Sequence, residues 1–314
     1  MISFFTTTKP FLGHSGIIQR NALQSWKLLH PDVEVILFGK EEGITGACAE
    51  FGLHHEPEVA RDRAGLPYMN YMFDRAEEIA RHDNLCYANC DIIFTSDLLE
   101  ALGRVRAVRS EFLIVGRRWD TDIVQPLDFS NLRWQEEIRE LSLKTSDQRD
   151  CGGIDYFLFS RRLLYKKIPG FVVGRPQWDN WLIWKALDSG IDVIDASAVV
   201  RAIHQNHGYA SHPDGREGLW SDESSERNIA LAGGDAHLRS IQSATYRLTA
   251  DKLSHNSFHY LVHWRVTLER RTEPLRAFVR TNLWHPFLEL TRPVRHALGI
   301  KQGHAALCNR KRED

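Results

Sequence analysis

Apolar and polar positions alternate in blocks along residues 1–250. Blocks rich in β-branched and aromatic residues have the length of strands and cover 2–8, 33–39, 85–94, 111–116 and 191–195. Segments with apolar residues at helical spacing lie between them and cover 15–29, 47–51, 68–80, 126–149 and 178–188. This alternation predicts an α/β domain with a mixed, mainly parallel sheet, flanked by helices and joined by right-handed crossovers.

The third strand block, 85–94, carries two polar residues within an apolar run. Asn89 and Asp91 are two residues apart, and residues two apart on a strand point to the same face. Ligands of open α/β sheets bind beyond the carboxyl ends of the strands, where amide and carboxylate oxygens suit Mg²⁺ or Mn²⁺. Capping of a helix that begins near Ser96 is an equally good interpretation of Asp91.

The first strand block contains neither a GxGxxG nor a GxxxxGK[ST] motif, so neither a dinucleotide fingerprint nor a P-loop is predicted. Its carboxyl end carries Thr6, Thr7 and Lys9, which could contact a nucleotide. The β-propensity of threonine explains the first two residues equally well.

A second group of candidate residues begins near position 150. Gly153 precedes a strand and allows close backbone approach to a ligand, and Asp155 lies two residues later. Trp178 and Asp179 begin a helix, and an indole beside a carboxylate favours sugar recognition or proton transfer by Asp179. Stabilisation of the helix N-terminus is the alternative for Asp179.

Two histidines lie three residues apart after the last predicted strand. His204 and His207 follow the strand block 191–195 and precede Gly208. Neutral imidazole is a common metal ligand, so one of these histidines is a candidate for metal or phosphate contact. A structural role is equally compatible with the spacing.

Composition excludes some classes of function. The net charge of −1 gives no global field that would attract nucleic acid. The five cysteines form no CxxC pair, which favours a reduced, cytoplasmic protein without a zinc site or disulfide framework. Since no apolar run reaches about 18 residues and no signal peptide is visible, the sequence predicts use inside the cell.

The last part of the chain differs in amino-acid composition. From residue 254 onward, arginines and tryptophans recur along predicted helices. We therefore expect two domains, 1–250 as the catalytic domain and 251–314 as a helical C-terminal extension. Cationic helices with aromatic residues can lie on the inner face of a membrane, but interspersed glutamates favour a helical cap or a protein contact.

The order of these motifs resembles that of GT-A type glycosyltransferases, which use nucleotide sugars. The similar elements are the first strand at 4–8, the strand end at 87–91, the glycine pair with Asp155, the segment 174–181 and the histidines at 204–207. The resemblance covers about residues 1–250 and is closest to a poorly characterised glycosyltransferase-like group. It implies a Rossmann-type GT-A fold and a nucleotide-sugar donor.

The resemblance also implies roles for individual residues. Asn89-Cys90-Asp91 stands where such families carry a metal-binding DxD motif, with Asn89 in place of the first carboxylate. Asp91 with His204 or His207 would hold Mn²⁺ or Mg²⁺ on the diphosphate. The remaining roles are nucleotide-sugar contact for Thr6, Thr7, Lys9, Asn89, Gly153 and Trp178, donor-sugar contact for Asp155, and deprotonation of the acceptor hydroxyl by Asp179.

Two other classes of function stay open from the sequence. A metal-dependent nucleotidyltransferase or phosphohydrolase would need further carboxylates clustered near Asp91. A non-catalytic sugar- or nucleotide-binding protein is compatible with the incomplete DxD motif. The acceptor of a transferase, whether carbohydrate, lipid-linked or protein, is not specified by any motif.

Overall fold

The computed structural model describes residues 1–146, 148–208 and 218–259. The chain divides into two compact units, Met1–Val262 and His263–Asp314. The second unit lies outside the described residues, and so do the helices expected beyond residue 259. Within the described ranges, none of the helices combines the length and the apolar character needed to cross a membrane.

The described chain alternates between strands and helices. The strands are β1 Ser3–Thr7, β2 Glu34–Phe38, β3 His54–Glu56, β4 Asn84–Ala88, β5 Ile92–Ile93, β6 Leu113–Val115, β7 Arg118–Thr121, β8 Tyr156–Ser160, β9 Val193–Asp195, β10 Ala202–Gln205, β11 Tyr246–Leu248 and β12 Leu253–His255. The helices are α1 Gly13–Lys27, α2 Ile44–Phe51, α3 Met69–Ile79, α4 Asp97–Arg106, α5 Trp134–Thr145, α6 Trp178–Asp188 and α7 Glu223–Ala232.

The main sheet has the order β12-β11-β9-β6-β8-β4-β1-β2-β3. Strands β1 to β4 form a parallel half, and β6, β9 and β11 form a second parallel group. Strand β8 runs antiparallel to both of its neighbours and joins the two groups, while β12 is antiparallel to β11. The prediction of a mixed, mainly parallel sheet flanked by helices is confirmed.

Buried apolar clusters lie on both faces of the sheet, which is why its central strands are mainly apolar. Alternation along β1 sends Phe4 to one face, where its ring stacks on Trp26 at a centroid distance of 4.9 Å. Phe5 points to the other face and packs edge-on against Phe73 at 4.8 Å. Helices α1 and α3 therefore cover opposite faces of the first strand.

A second sheet has three short strands in the order β5-β10-β7. Strand β10 pairs antiparallel with β5 and parallel with β7. Trp134 and Ile138 of α5 belong to the same buried cluster as Ile93 and Ile203 of this small sheet. The helix-containing insertion between β7 and β8 thus covers the small sheet.

The single strand expected at 85–94 is interrupted. Strand β4 ends at Ala88, and the chain then turns, because the Ile92 N–H donates to the Asn89 carbonyl. Asn89 and Asp91 consequently lie on this turn, and the expectation that they share one face of a continuous strand is wrong.

Candidate functional site

Asp91 lies on the turn between the two sheets, and its backbone is fixed from β10. The carbonyl of Asp91 accepts hydrogen bonds from the backbone N–H and the side-chain Nε2 of Gln205, each at 3.1 Å. Gln205 is fully buried and also receives a hydrogen bond from Asn21 at 2.9 Å. Gln205 was not a candidate from sequence, because the partners of a buried glutamine are known only from the fold.

Both candidate histidines converge on the carboxylate of Asp91. His207 Nε2 is 3.1 Å from Asp91 Oδ2, and His204 Nε2 is 3.8 Å from the same oxygen. One ligand atom of each residue lies within 4.8 Å of the other two. Because these contacts engage Asp91 away from α4, whose N-cap is Ser96, the capping interpretation of Asp91 is wrong.

An oxygen atom lies 3.0 Å from the second ring nitrogen of each histidine. His204 Nδ1 is 3.0 Å from Asp120 Oδ1, and His207 Nδ1 is 3.0 Å from the carbonyl oxygen of Gly208. With a cation in the cluster, an oxygen beside Nδ1 would favour the tautomer whose Nε2 carries the lone pair, as at many metal sites with histidine ligands. Both imidazoles therefore present Nε2 to Asp91.

The charges of the cluster support one another. Burial disfavours the carboxylate form of Asp91, but the charge of His204 and the hydrogen bond from His207 outweigh it and hold the pKa of Asp91 below its usual range. Burial likewise opposes protonation of His204, yet Asp120 and Asp91 raise the pKa of that imidazole. The site thus stabilises an ionised carboxylate.

The three side chains fit a divalent cation. Asp91 Oδ1 is buried and has no hydrogen-bond partner among the described residues, so it is available as a ligand. One carboxylate and two imidazoles leave coordination positions for phosphate oxygens. Since Mn²⁺ accepts nitrogen ligands more readily than Mg²⁺, this ligand set suits Mn²⁺ better.

Asn89 is engaged elsewhere. Its Nδ2 donates to Asp155 Oδ1 at 2.6 Å, and its Oδ1 accepts from the Tyr87 hydroxyl at 3.2 Å. Arg118 Nη1 contacts the other oxygen of Asp155 at 2.7 Å. Asn89 therefore braces Asp155, and both oxygens of Asp155 are bound.

A cleft of about 490 Å³ opens beside this network. Its walls include Arg118 and Asp155, residues from the segments 149–155 and 174–180, and the pair Leu219 and Trp220. Arg118 also lies 2.8 Å from Asp120. A chain of contacts through Asp120, Arg118 and Asp155 therefore links the histidine cluster to the cleft.

Asp179 lines the cleft in the first turn of α6. Its Oδ1 accepts the Asn180 N–H at 2.8 Å, so part of its role is local to the helix start. Burial raises the pKa of Asp179 to about 6, and the nearby charge of Asp155 acts in the same direction. A carboxylate with this pKa is ionised at neutral pH and is a stronger base than an ordinary aspartate.

The aromatic side chain in the cleft differs from the expected one. Trp178 is 7% exposed and packs against Tyr87 and Phe157, each at 5.4 Å between ring centroids, as part of the core. Trp220 lines the cleft and is 59% exposed. The sequence signal for Trp220 was weak, because it lies in a polar segment that reads as a loop.

The remaining candidates lie at strand ends and loops. Thr6 is buried, whereas the hydroxyl of Thr7 is buried without a hydrogen-bond partner in the described chain. Lys9 is exposed and near enough to lower the pKa of Asp91, although its effect is smaller than those of burial and the histidines. Gly153 lines the cleft, and a Cβ there would lie 2.4 Å from Arg149 Cγ.

Comparisons with known proteins give matches among solved structures alone. Neither a family model nor a curated protein matches the sequence. The structural matches include glucosyl-3-phosphoglycerate synthase from M. tuberculosis, with 14% identity, a TM-score of 0.43, and coverage of 74% of this chain and 78% of that one. They also include the Pyrobaculum calidifontis mannosyltransferase PcManGT in complex with GDP-Man and Mn²⁺, with 13% identity, a TM-score of 0.41, and coverage of 65% and 56%.

S. aureus TarS in complex with UDP-GlcNAc is a further match, with 13% identity, a TM-score of 0.43, and coverage of 67% of this chain and 60% of that one. The TM-scores of these three structures are below 0.5, so the likenesses carry no argument about the class of this chain. At such TM-scores the likenesses say nothing about the ligands of this chain, so its function rests on the geometry of its own site.

Proposed function

We propose that this protein is a glycosyltransferase that moves a sugar from a nucleoside diphosphate sugar to a hydroxyl group of an acceptor, assisted by a divalent cation. The observation that carries the proposal is the linkage of two sites in one network. The ligand atoms of Asp91, His204 and His207 lie close enough together to hold a cation, and Arg118 and Asp155 connect this cluster to a cleft that contains Asp179. Departure of a diphosphate and attack by a hydroxyl need these two functions side by side.

The donor side of the site lies at the carboxyl ends of β1 and β4. A bound cation would neutralise the negative charge of the departing diphosphate. Lys9 supplies a further positive charge near Asp91, and the hydroxyl of Thr7 supplies a polar contact for the nucleotide. Asp155, held by Asn89 and Arg118, faces the hydroxyl groups of the donor sugar.

The acceptor side of the site is the cleft. In a displacement with inversion, the acceptor oxygen forms a bond to the anomeric carbon, the bond from that carbon to the diphosphate breaks, and Asp179 takes the hydroxyl proton. The exposed indole of Trp220 offers an apolar face on which an acceptor sugar ring can pack. This site specifies only that the acceptor carries a free hydroxyl group.

The composition of the cation site favours transfer over phosphoryl chemistry. Two-metal phosphohydrolases and nucleotidyltransferases hold ions about 3.5–4 Å apart with several carboxylates. Among the described residues, the cluster around Asp91 pairs a single carboxylate with two imidazoles. A single cation that supports a leaving diphosphate is the simpler fit.

We further propose that the enzyme acts inside the cell. Cys48, Cys86, Cys90 and Cys151 are free thiols, which suits a reduced compartment. We propose a nucleotide-sugar donor as the small-molecule partner, and we do not propose nucleic acid as a partner. Contact of the segment 251–314 with a membrane surface remains a proposal from its sequence.

Release of the nucleoside diphosphate from UDP- and GDP-sugars, measured with and without Mn²⁺, tests the function. We expect Mn²⁺-dependent turnover in the wild-type protein and loss of at least 10²-fold in Asp91→Asn, because the cation loses its only carboxylate ligand within the cluster. Asp83→Asn is the matched control, since the Asp83 side chain is 86% exposed and lies outside the site. Equal turnover in Asp91→Asn and Asp83→Asn would contradict the proposed cation site.

A further inference from the structure

Asp120 lies behind His204, on the neighbouring strand of the small sheet. The parallel register of β7 and β10 pairs Asp120 with His204. This pairing brings Asp120 Oδ1 to 3.0 Å from His204 Nδ1, while His204 Nε2 faces Asp91 at 3.8 Å. The two nitrogens of one ring are thus assigned to two different carboxylates.

We propose that Asp120 is a positioning residue for the cation site: it accepts the proton of His204 Nδ1 and so fixes the ring and its tautomer with Nε2 directed at the cation. The inference rests on the proposed function, because it concerns the same site. A carboxylate in this place raises the ligand strength of an imidazole and holds its plane. Without it, the His204 ring could rotate or expose the protonated nitrogen to the cation.

The surroundings of Asp120 explain why its carboxylate keeps this orientation. Arg118 Nε lies 2.8 Å from Asp120 Oδ1, and Arg149 Nη1 lies 3.3 Å from Oδ2. Both oxygens are therefore held by guanidinium groups while one of them also meets His204. Loss of either arginine would leave the carboxylate less constrained.

The same carboxylate also orders the cleft. Arg118, held by Asp120 through Nε, uses Nη1 to contact Asp155 at 2.7 Å. Asp155 and Arg118 both line the cleft. Asp120 consequently fixes one group on each side of the reaction, His204 at the cation and Arg118 beside the sugar.

Titration of the protein with Mn²⁺ alone, with unbound Mn²⁺ followed by electron paramagnetic resonance, tests the inference without any measurement of activity. Removal of such a supporting carboxylate weakens metal binding about 10- to 100-fold at known sites. We therefore expect Asp120→Asn to weaken Mn²⁺ binding by that factor. Asp83→Asn, which removes an exposed carboxylate, should leave the dissociation constant unchanged.

The outcomes separate the inference from the proposed function. Failure of the wild-type protein to bind Mn²⁺ would overturn the cation site and the inference together. Equal affinity of wild type and Asp120→Asn would overturn the role of Asp120 alone. Complete loss of binding in Asp120→Asn, as complete as in Asp91→Asn, would instead make Asp120 a direct ligand and contradict a positioning role.

A measurement on the wild-type protein covers the case in which Asp120→Asn does not fold. Nitrogen-15 NMR of the histidine rings at alkaline pH reports which nitrogen carries the proton, and the signals of His204 are assigned by their loss in His204→Gln. We expect His204 to carry its proton on Nδ1. A proton on Nε2 would show that Asp120 does not set the tautomer and would overturn the inference.

Discussion

The amide of Asn89 occupies a position where a second carboxylate could not be accommodated without cost. It donates to Asp155 at 2.6 Å and accepts from Tyr87 at 3.2 Å, so its two ends have different chemical roles. An aspartate would keep the acceptor and lose the donor. An amide side chain at position 89 is therefore required by the hydrogen bond to Asp155.

The substitution Asn89→Asp should lower the stability of the folded protein. Two carboxylates at such a distance repel one another, and the lost hydrogen bond to a charged group is worth about 1–3 kcal/mol. We expect the free energy of unfolding to fall by about that amount near pH 8, and urea unfolding of the two proteins measures the difference.

The contrary result would assign Asn89 differently. If Asn89→Asp is as stable as wild type and binds Mn²⁺ more tightly, the side chain at position 89 reaches the cation directly. The bond between Asn89 and Asp155 would then have no part in the cation site.

Asp179 is tested by the pH dependence of turnover. A general base acts in its ionised form, so the Asp179 contribution should rise with pH through its pKa of about 6 and be lost below it. We expect Asp179→Asn to lower turnover about 10²- to 10⁴-fold near pH 8 and to remove this step from the pH profile. Initial rates between about pH 5 and pH 8 measure both effects, and an unchanged profile would exclude Asp179 as the base.

Some residues of the candidate site could be predicted from the sequence and others could not. Asp91, His204, Asp155 and Asp179 were sequence candidates. Asp91 and His204 come at or after apolar strands, Asp155 follows a glycine pair, and Asp179 begins a helix. Asp120 and Gln205 were not candidates, because their roles depend on which strand lies beside them. The side chain of Trp178 was assigned to the site on composition, and its burial depends on packing against Tyr87 and Phe157, which no local pattern reveals.

At the element scale, α3 and the loop that follows β8 are joined through acidic side chains. Glu77 of α3 is buried, and its Oε2 accepts the N–H of Arg162. Asp74 accepts the N–H of Lys166 at 2.7 Å. Arg162 and Lys166 have φ values of 68° and 54°, a conformation that residues other than glycine rarely adopt, so the helix side chains stabilise an unusual loop.

This contact predicts a pH-dependent stability. Burial raises the pKa of Glu77 from 4.5 to about 7, although the N–H of Arg162 opposes the shift. A group whose pKa is raised in the folded state contributes stability below its unfolded pKa and loses that contribution as pH rises through the folded value. The contribution of Glu77 should therefore fall between about pH 4.5 and pH 7.

Glu77→Gln removes the titration and keeps an acceptor for the Arg162 N–H. Between about pH 5 and pH 8 the wild-type protein should lose the contribution of Glu77, and the variant should not. We therefore expect the unfolding free energy of the variant, relative to that of wild type, to rise by on the order of 1–3 kcal/mol over this range. Urea unfolding of both proteins at the two pH values measures the difference. A difference that stays constant with pH would mean that Glu77 does not titrate in this range.

The small sheet explains which elements could be predicted. Strands β1, β2, β6 and β9 are apolar runs, and their positions follow from composition. Strands β7 and β10 carry polar residues such as Arg118 and Gln205, and they form because they pair with each other across a long stretch of chain. The register that sets Asp120 opposite His204 is therefore a property of the folded molecule.

At the scale of the whole molecule, alternation of strands and helices predicted the sheet and its helical layers. The antiparallel direction of β8 was not predicted, because strand direction depends on the path of the insertion before it. The hairpin of β11 and β12 joins the main sheet and extends to His255. The division into 1–250 and 251–314 stays a prediction, since the second unit lies outside the described residues.

The most direct test of the central claim, cation-assisted binding of a nucleotide sugar at Asp91, is a thermal-shift panel of UDP-, GDP-, CMP- and dTDP-sugars, each with and without Mn²⁺. A ligand that binds only the folded state, and whose concentration is about 100 times its dissociation constant, adds about 2.7 kcal/mol to the free energy of unfolding. We predict that one nucleotide class raises Tm in a Mn²⁺-dependent manner and that Asp91→Asn removes this dependence while Asp83→Asn retains it. Absence of a shift with every nucleotide sugar, or a shift indifferent to both Mn²⁺ and Asp91→Asn, would contradict the claim.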